Sequence, residues 1–405
     1  MQPAELSHDE RPPGGIPVSQ LDPFAESFLS DPYPRYAQLR ELGPVVLLEA
    51  HGAYCLPRFA EVHRTLNDWE TFCSERGVGL LDFAKQKPWR PASLLLEADP
   101  PQHTRARAVV TRVLSAKALR GLKAQFAAEA ERLMDGLVRR GRFDGVTDLA
   151  QVYPVKVFPD AIGLTTAGRE NLLPYGDMVF NAYGPRNELL ERSMENADRV
   201  SAWIISQCER SALSPEGLGA QIYAEAAAAG LPEEDAALLV RSFLTAGVDT
   251  SVTGLGATLY AFSRNPEQWA LLRQDPSLAR PAFDEALRLE SPVQTFFRTT
   301  TRPVEIGGAM LPEGAKVFMS LASANRDPRR WENPDRFDIR RRTTGHVAFG
   351  AGIHTCIGQM VARMEAEVVL AALLARVEHI EPAGEVKRRL NNSMRAYASL
   401  PLVVR

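Results

Sequence analysis

A glycine-rich loop that runs into a cysteine at the start of a helix restricts this chain more than any other feature. It reads Phe349-Gly350-Ala351-Gly352-Ile353-His354-Thr355-Cys356-Ile357-Gly358. From Ile357 to Arg376 the residues are mostly strong helix formers without proline, so a long helix is expected to begin at the cysteine. A sulfur there meets unpaired backbone N–H groups and the positive end of the helix dipole, and both favour thiolate. The glycines let backbone approach something flat and bulky. A soft thiolate beside a planar group points to haem iron with Cys356 as axial ligand. The competing reading is a buried cysteine behind an ordinary glycine loop.

The spacing of Phe349, Gly350, Gly352, His354, Cys356 and Gly358 closely resembles the haem-binding signature of the cytochrome P-450 family. The resemblance covers the chain from about residue 20 to its end. It implies a mostly α fold with small β-sheets, the P-450 fold, built as one haem-thiolate monooxygenase domain over residues 18–405. It also implies haem b and O2 as cofactors. Residues 1–17, polar and carrying Pro12-Pro13-Gly14-Gly15, are expected to form a disordered tail.

Composition agrees with that outline. Of 405 residues 45% are hydrophobic, enough for a large core, and the net charge of −3 gives no sign of nucleic-acid binding. Cys55, Cys73, Cys208 and Cys356 lie far apart without CxxC or CxxCH, against a disulfide scaffold, a zinc site or covalently attached haem. The start lacks the layout of a signal peptide, and no apolar run nears the ~18 residues of a membrane span. A cytoplasmic protein of the soluble bacterial type is expected, acting as a monomer. Val45–Glu49 and Ala53–Leu56 read as a hairpin. Helical patterns cover 58–67, 101–114, 117–139, 188–211 and 233–263. A β-rich stretch spans 299–321, and 397–404 is expected to add a strand pair.

Within the pattern 233–263, Ala246-Gly247-Val248-Asp249-Thr250 sets a carboxylate beside a hydroxyl. Gly247 costs about 1 kcal/mol of helix stability, so it signals a close neighbour or a local opening. Thr250 and Asp249 could relay protons to an iron-bound oxygen species. A threonine bonding back to the carbonyl one turn earlier is the alternative. The segment matches the family's oxygen-activation motif, which implies the relay. The family's buried Glu–Arg–Arg cluster maps by resemblance to Glu285, Arg288 and Arg336, as a structural lock on the cysteine loop. Haem propionates need cations, and His103 and Arg107, one turn apart, with Arg298 and His354 match the family's propionate ligands.

Ser242, Ala246 and Thr250 fall on one helix face over a rise of about 12 Å. A polar group near Ser242 could hold one end of a small substrate whose other end reaches the iron. By resemblance to the P-450 pocket, Arg90, Ser93, Tyr175, Arg241 and Ser242 would surround a carboxylate, with Phe180 and Phe296 as walls. The bland reading leaves Arg90 and Arg241 facing water. These positions resemble bacterial P-450s that oxidise para-substituted benzoates such as 4-methoxybenzoate. Arg340-Arg341-Arg342, Arg112 and Arg120 would meet an acidic [2Fe-2S] ferredoxin, which relays electrons from NAD(P)H through a ferredoxin reductase. Rival readings are the same chemistry on a terpene, steroid or macrolide, a peroxide-driven fatty-acid hydroxylase, and a non-catalytic haem sensor.

Overall fold

The structure, a computed structural model, describes residues 15–405. Most of the expected tail, residues 1–14, lies outside the described residues. The rest of it is part of the body: Ile16 is buried with Val45 and Ile306, and the Val18–Ser19 strand pairs in parallel with Val46–Leu48. The order continues through the antiparallel Ala53–Leu56 strand to Lys316–Ser320, Thr295–Thr300 and Phe72–Cys73, a six-stranded sheet. The expected hairpin is therefore present, with Gly52 in the left-handed region (φ 57°) closing its turn. The two C-terminal strands form, yet not with each other. Ala396–Ser399 pairs with Lys387–Arg389, and Pro401–Val404 joins Ile380–Pro382 and Arg142–Asp144.

Most helices pack against one another around one dominant apolar cluster, while the six-stranded sheet builds two smaller ones. The Ala116–Arg140 helix shows why the sequence makes it. Ser115 caps the backbone N–H of Ala118, Gly141 ends it at φ 66°, and Phe126, Ala130, Met134 and Leu137 form its buried stripe. The pattern 101–114 folds as Gln102–Val113, and 58–67 as Phe59–Asn67. Two expected helices are each broken in two. The span 188–211 divides into Glu188–Ser193 and Ala197–Cys208, and 233–263 into Glu233–Ala246 and Asp249–Arg264.

The glycine at the second break has a packing reason. A Cβ on Gly247 would lie 2.0 Å from Cε1 of Phe158, so the Phe158 ring occupies the space a side chain would need. Gly247→Ala should therefore lower stability by about 1–3 kcal/mol through overpacking, more than the ~1 kcal/mol alanine gains in helix propensity. Denaturant midpoints of Gly247→Ala and of Gly247→Ala with Phe158→Leu check this, the double variant recovering most of the loss. A single variant as stable as the original protein would remove the packing explanation.

The helix after the cysteine runs Gln359–Leu374 and starts three residues past Cys356, with Gly358 at its N-cap. A buried charge cluster holds the segment that leads into the loop. Arg288 donates to both oxygens of Glu285 (2.7 and 2.9 Å), and Arg341 donates to Glu285 at 3.0 Å. The third member is thus Arg341, correcting the expectation of Arg336. The Arg336 side chain is exposed, and only its carbonyl takes part, accepting from Arg288 and Arg341.

Candidate active site

The Cys356 backbone N–H donates to the Phe349 carbonyl at 2.8 Å, which closes the loop, and Gly350 and Gly352 take φ 68° and 66°. Gly352 is obligatory there, since a Cβ would meet the Leu66 carbonyl at 2.3 Å. Phe349 lies under the Arg363 guanidinium, 4.6 Å from its ring centre, and Arg363 is itself anchored to Asp284 at 2.8 Å. Burial raises the Cys356 thiol above its ordinary range. The N–H groups of Gly358 and Gln359 and the charges of Arg107 and Arg363 pull the other way without prevailing. The helix start thus favours thiolate in the expected direction, against the cost of burial. A bound cation at the sulfur would displace the proton.

Beside the loop stands a group of basic side chains, of which among the described residues only His354 faces a carboxylate, its Nε2 lying 3.6 Å from Asp99. Arg298 is buried and donates only to the Phe297 carbonyl (2.8 Å), and burial lowers it to about 10. Arg107 donates to the Thr355 carbonyl at 2.7 Å. The His103 and His354 rings are 4.4 Å apart, and His103 Nε2 is buried without a hydrogen-bond partner. His354 bonds the Leu95 carbonyl and the Ser74 hydroxyl, both at 3.0 Å. Buried cations and an orphaned ring nitrogen call for anions. With Cys356 and the glycine loop, this donor set fits a haem whose two carboxylates would be held by His103, Arg107, Arg298 and His354.

Along Arg241–Thr250, Ala246 is exposed and Ser242 and Thr250 half-buried, while Arg241, Phe243, Leu244, Val248 and Asp249 around them are buried. The expected face Ser242–Ala246–Thr250 is thus the open one. Thr250 Oγ1 donates to the Ala246 carbonyl at 2.6 Å, the back-bond weighed from the sequence. Asp249 is buried with its carboxylate on Arg389 Nη2, at 2.7 and 3.0 Å, and Gly176 packs against its Cβ.

At the far end of this face, Ser93 Oγ and Ser242 Oγ lie 3.4 Å apart, and Arg241 is buried, donating to the Pro91 and Ala92 carbonyls at 2.8 and 3.3 Å. Tyr175 is buried between Arg241 and Arg90, with Trp89 edge-on to its ring. Arg90 already has a carboxylate partner. Glu97 takes both of its terminal nitrogens, at 2.9 and 3.2 Å, and accepts the Ser93 N–H as well. Phe180 and Phe296 both pack edge-on to Tyr183, at 5.8 and 5.6 Å, so Tyr183 belongs to the wall that they were expected to make. On the outer side, a cavity of about 1070 Å³ reaches Arg90, Tyr175 and Arg241 past Trp89 and Ile205.

Comparison with known proteins settles what this loop and cation set belong to. The cytochrome P-450 family profile matches residues 217–403. CYP199A2 of Rhodopseudomonas palustris is 56% identical over 389 residues, 96% of this chain and 94% of that protein. The chain belongs to the cytochrome P-450 family. Among solved P-450 structures, CYP109Q5 from Chondromyces apiculatus superposes with a TM-score of 0.80 at 32% identity, covering 95% of this chain and 98% of that one. P-450 CREJ, solved with (4-ethylphenyl) dihydrogen phosphate, gives 0.84 at 25% identity, covering 97% and 100%. The protein is thus a P-450 monooxygenase with the P-450 fold, and no helix among the described residues is long and apolar enough to cross a membrane.

Several residues around this P-450 site escaped the sequence reading: Glu97, Asp177, Tyr183 and Arg389. The basic run Lys387-Arg388-Arg389 was the available signal for the last of these. Of the arginines expected to meet a ferredoxin, Arg340, Arg342 and Arg120 are exposed, Arg341 is instead held by the buried Glu285, and Arg112 already meets Glu225 at 2.5 Å.

Proposed function

We propose that this P-450 oxidises a small aromatic carboxylic acid at its para substituent, a benzoate such as 4-methoxybenzoate, giving O-demethylation or hydroxylation. The observation that carries this reading is Arg241. It is a buried guanidinium whose hydrogen bonds among the described residues go only to two backbone carbonyls, beside the Ser93 and Ser242 hydroxyls and at one end of the open face that leads to Thr250. A carboxylate placed there gains charge-assisted bonds that offset its desolvation. The other end of a benzoate then lies along Ala246 toward Thr250, between Phe180, Tyr183 and Phe296. The P-450 CREJ complex supports the same class of ligand, because its bound molecule is also a para-substituted phenyl anion.

Cys356 would hold the haem iron, His103, Arg107, Arg298 and His354 its carboxylates, with Phe349, Gly350 and Gly358 shaping the loop beside it. When bound, the haem supplies the activation of O2 that C–H oxidation requires. The residues supply position and protons. Arg241, Ser93 and Ser242 fix the acid end of the substrate, and the aromatic wall excludes water from the reacting end. The Thr250 hydroxyl, now spent on the Ala246 carbonyl, can turn toward the open face and deliver a proton, with Asp249 as the source behind it. Electrons would come from NAD(P)H through a ferredoxin reductase and a [2Fe-2S] ferredoxin, docking near Arg340 and Arg342 on the cysteine face.

Titration of 4-methoxybenzoate and 4-methoxybenzamide, followed by the substrate-induced spin shift, tests the substrate class. Losing the charge-assisted bonds should weaken the amide by about ten- to a hundredfold. Equal affinities, or no shift with any para-substituted benzoate, would leave a monooxygenase of other substrates.

A further inference from the structure

Glu97 is buried, and its carboxylate is shared by three N–H groups of one short segment. Arg90 gives it two bonds, at 2.9 and 3.2 Å, and the Ser93 backbone N–H gives a third at 2.7 Å. The Glu97 backbone N–H returns a bond to the Ser93 carbonyl at 2.9 Å. Residues 90–97 are thereby closed into a ring. The Pro91 and Ala92 carbonyls that hold Arg241 lie inside it, and so does the Ser93 hydroxyl that faces Ser242.

Three charges meet at this end of the site. The side chains of Arg90 and Glu97 are 9% and 2% exposed, and Arg241 is buried as well. Burial raises the neighbouring Tyr175, Tyr183 and Cys208 above their ordinary ranges, so they carry no charge near neutrality. Glu209, Arg210, Glu233 and Glu234 line the outer cavity but are exposed, and water and salt screen them. The two guanidiniums and the one carboxylate therefore leave a single positive charge beside the Ser93 and Ser242 hydroxyls.

We infer that Glu97 is a specificity-determining residue, which cancels Arg90 and so selects a singly charged carboxylate over a doubly charged anion. The inference rests on the aromatic-acid reading and deepens it. A monoanion makes this buried end neutral, whereas a dianion leaves an uncompensated negative charge away from water. Without Glu97 the end would carry two positive charges. Arg90 could then turn its fork to the ligand, and a guanidinium fork suits a phosphate. Selection here comes as much from what the site repels as from what it binds.

The test uses haem-loaded protein at about pH 8, where 4-methoxyphenyl phosphate carries about two negative charges and 4-methoxybenzoate one. Calorimetric titration gives the Kd of both anions and of 4-methoxybenzamide, and reads binding without a spin shift. The proteins compared are the original enzyme, Glu97→Gln, Arg90→Gln and the double variant Arg90→Gln with Glu97→Gln. Glu97→Gln should move the ratio of the two anion Kd values toward the phosphate by about tenfold or more. The double variant, which again has one positive charge, should return that ratio to within about threefold of the original. A glutamate that only braced the loop would weaken both anions together, and removing Arg90 would not restore the ratio. An unchanged ratio in Glu97→Gln, or a double variant that keeps the shifted ratio, would overturn the inference. Should Glu97→Gln fail to fold, Arg90→Gln reads the same charge from the other side. It leaves no net charge, so the preference for benzoate over benzamide should fall by about fivefold or more. An undiminished preference there would also overturn the inference. If the original enzyme binds no para-substituted benzoate, the aromatic-acid reading falls first, and the inference with it.

Discussion

Arg288→Ala is expected to cost about 3–5 kcal/mol and to leave a protein that loses its haem readily, because it strands the fully buried Glu285 carboxylate. Arg288 also donates to the carbonyls of Asn325 (2.7 Å), Pro334 (2.8 Å) and Arg336 (3.3 Å). Glu285 in turn accepts from Arg341 and from the Asp338 backbone N–H at 3.1 Å. The cluster thus pins the chain from Asn325 to Arg341, which feeds directly into the cysteine loop. For the same reason, replacing both charges by apolar residues should not restore stability, since three carbonyls would still lack their donor. Denaturant midpoints and haem retention measured across Arg288→Ala, Arg341→Ala and Arg336→Ala check the assignment. Arg336→Ala should stay within about 0.5 kcal/mol of the original protein, as its side chain touches nothing in the cluster. Equal losses from Arg336 and Arg341 would refute it.

Glu365→Gln should abolish a steep loss of stability between mildly acidic and mildly alkaline pH. Glu365 sits on the Gln359–Leu374 helix, 1% exposed, with neither carboxylate oxygen hydrogen-bonded and only the Ser251 hydroxyl as a nearby polar partner. Burial pushes it up to about 8. Near neutrality the native state therefore keeps a proton that the unfolded chain has released. Its contribution to stability is fully present below the ordinary carboxyl range of about 4.3 and is lost as pH rises through about 8. Between about pH 5.5 and pH 8.5 the loss amounts to about 3 kcal/mol. Glutamine, neutral throughout, should match the original protein at the acid end and exceed it at the alkaline end. Urea midpoints of the two proteins across that range decide it, and parallel curves would show that Glu365 stays ionised in the folded state.

The cysteine loop was legible in the sequence because all its parts are local. The glycines, the sulfur and the following helix lie within one short stretch, so spacing alone implied a planar ligand and an axial thiolate. Gly247 was legible for a related reason: a glycine inside a helix pattern marks a conflict, and the Phe158 ring and the break at Val248 are its two expressions. The helices Val152–Ile162 and Leu172–Asn181 were missed because Pro154, Pro159 and Pro174 lie within them and read in a sequence as helix breakers.

Charge partners were the part that sequence could not assign. Arg90, read as a free cation, is taken by Glu97; Arg336, chosen by motif, yields to Arg341; and Asp249 finds Arg389 at the far end of the chain. An ionic side chain shows its charge in the sequence but not its distance to the opposite charge, and burial makes that distance decisive. By itself, then, the sequence determined the haem-thiolate loop, the mostly helical class and the stripe Ser242–Ala246–Thr250, which depend on neighbours within a few turns. Tertiary structure alone decided that Arg241 rather than Arg90 remains without a carboxylate and that the Asp249 carboxylate lies on Arg389. Both outcomes depend on which distant elements the packed core brings within a hydrogen bond of each other.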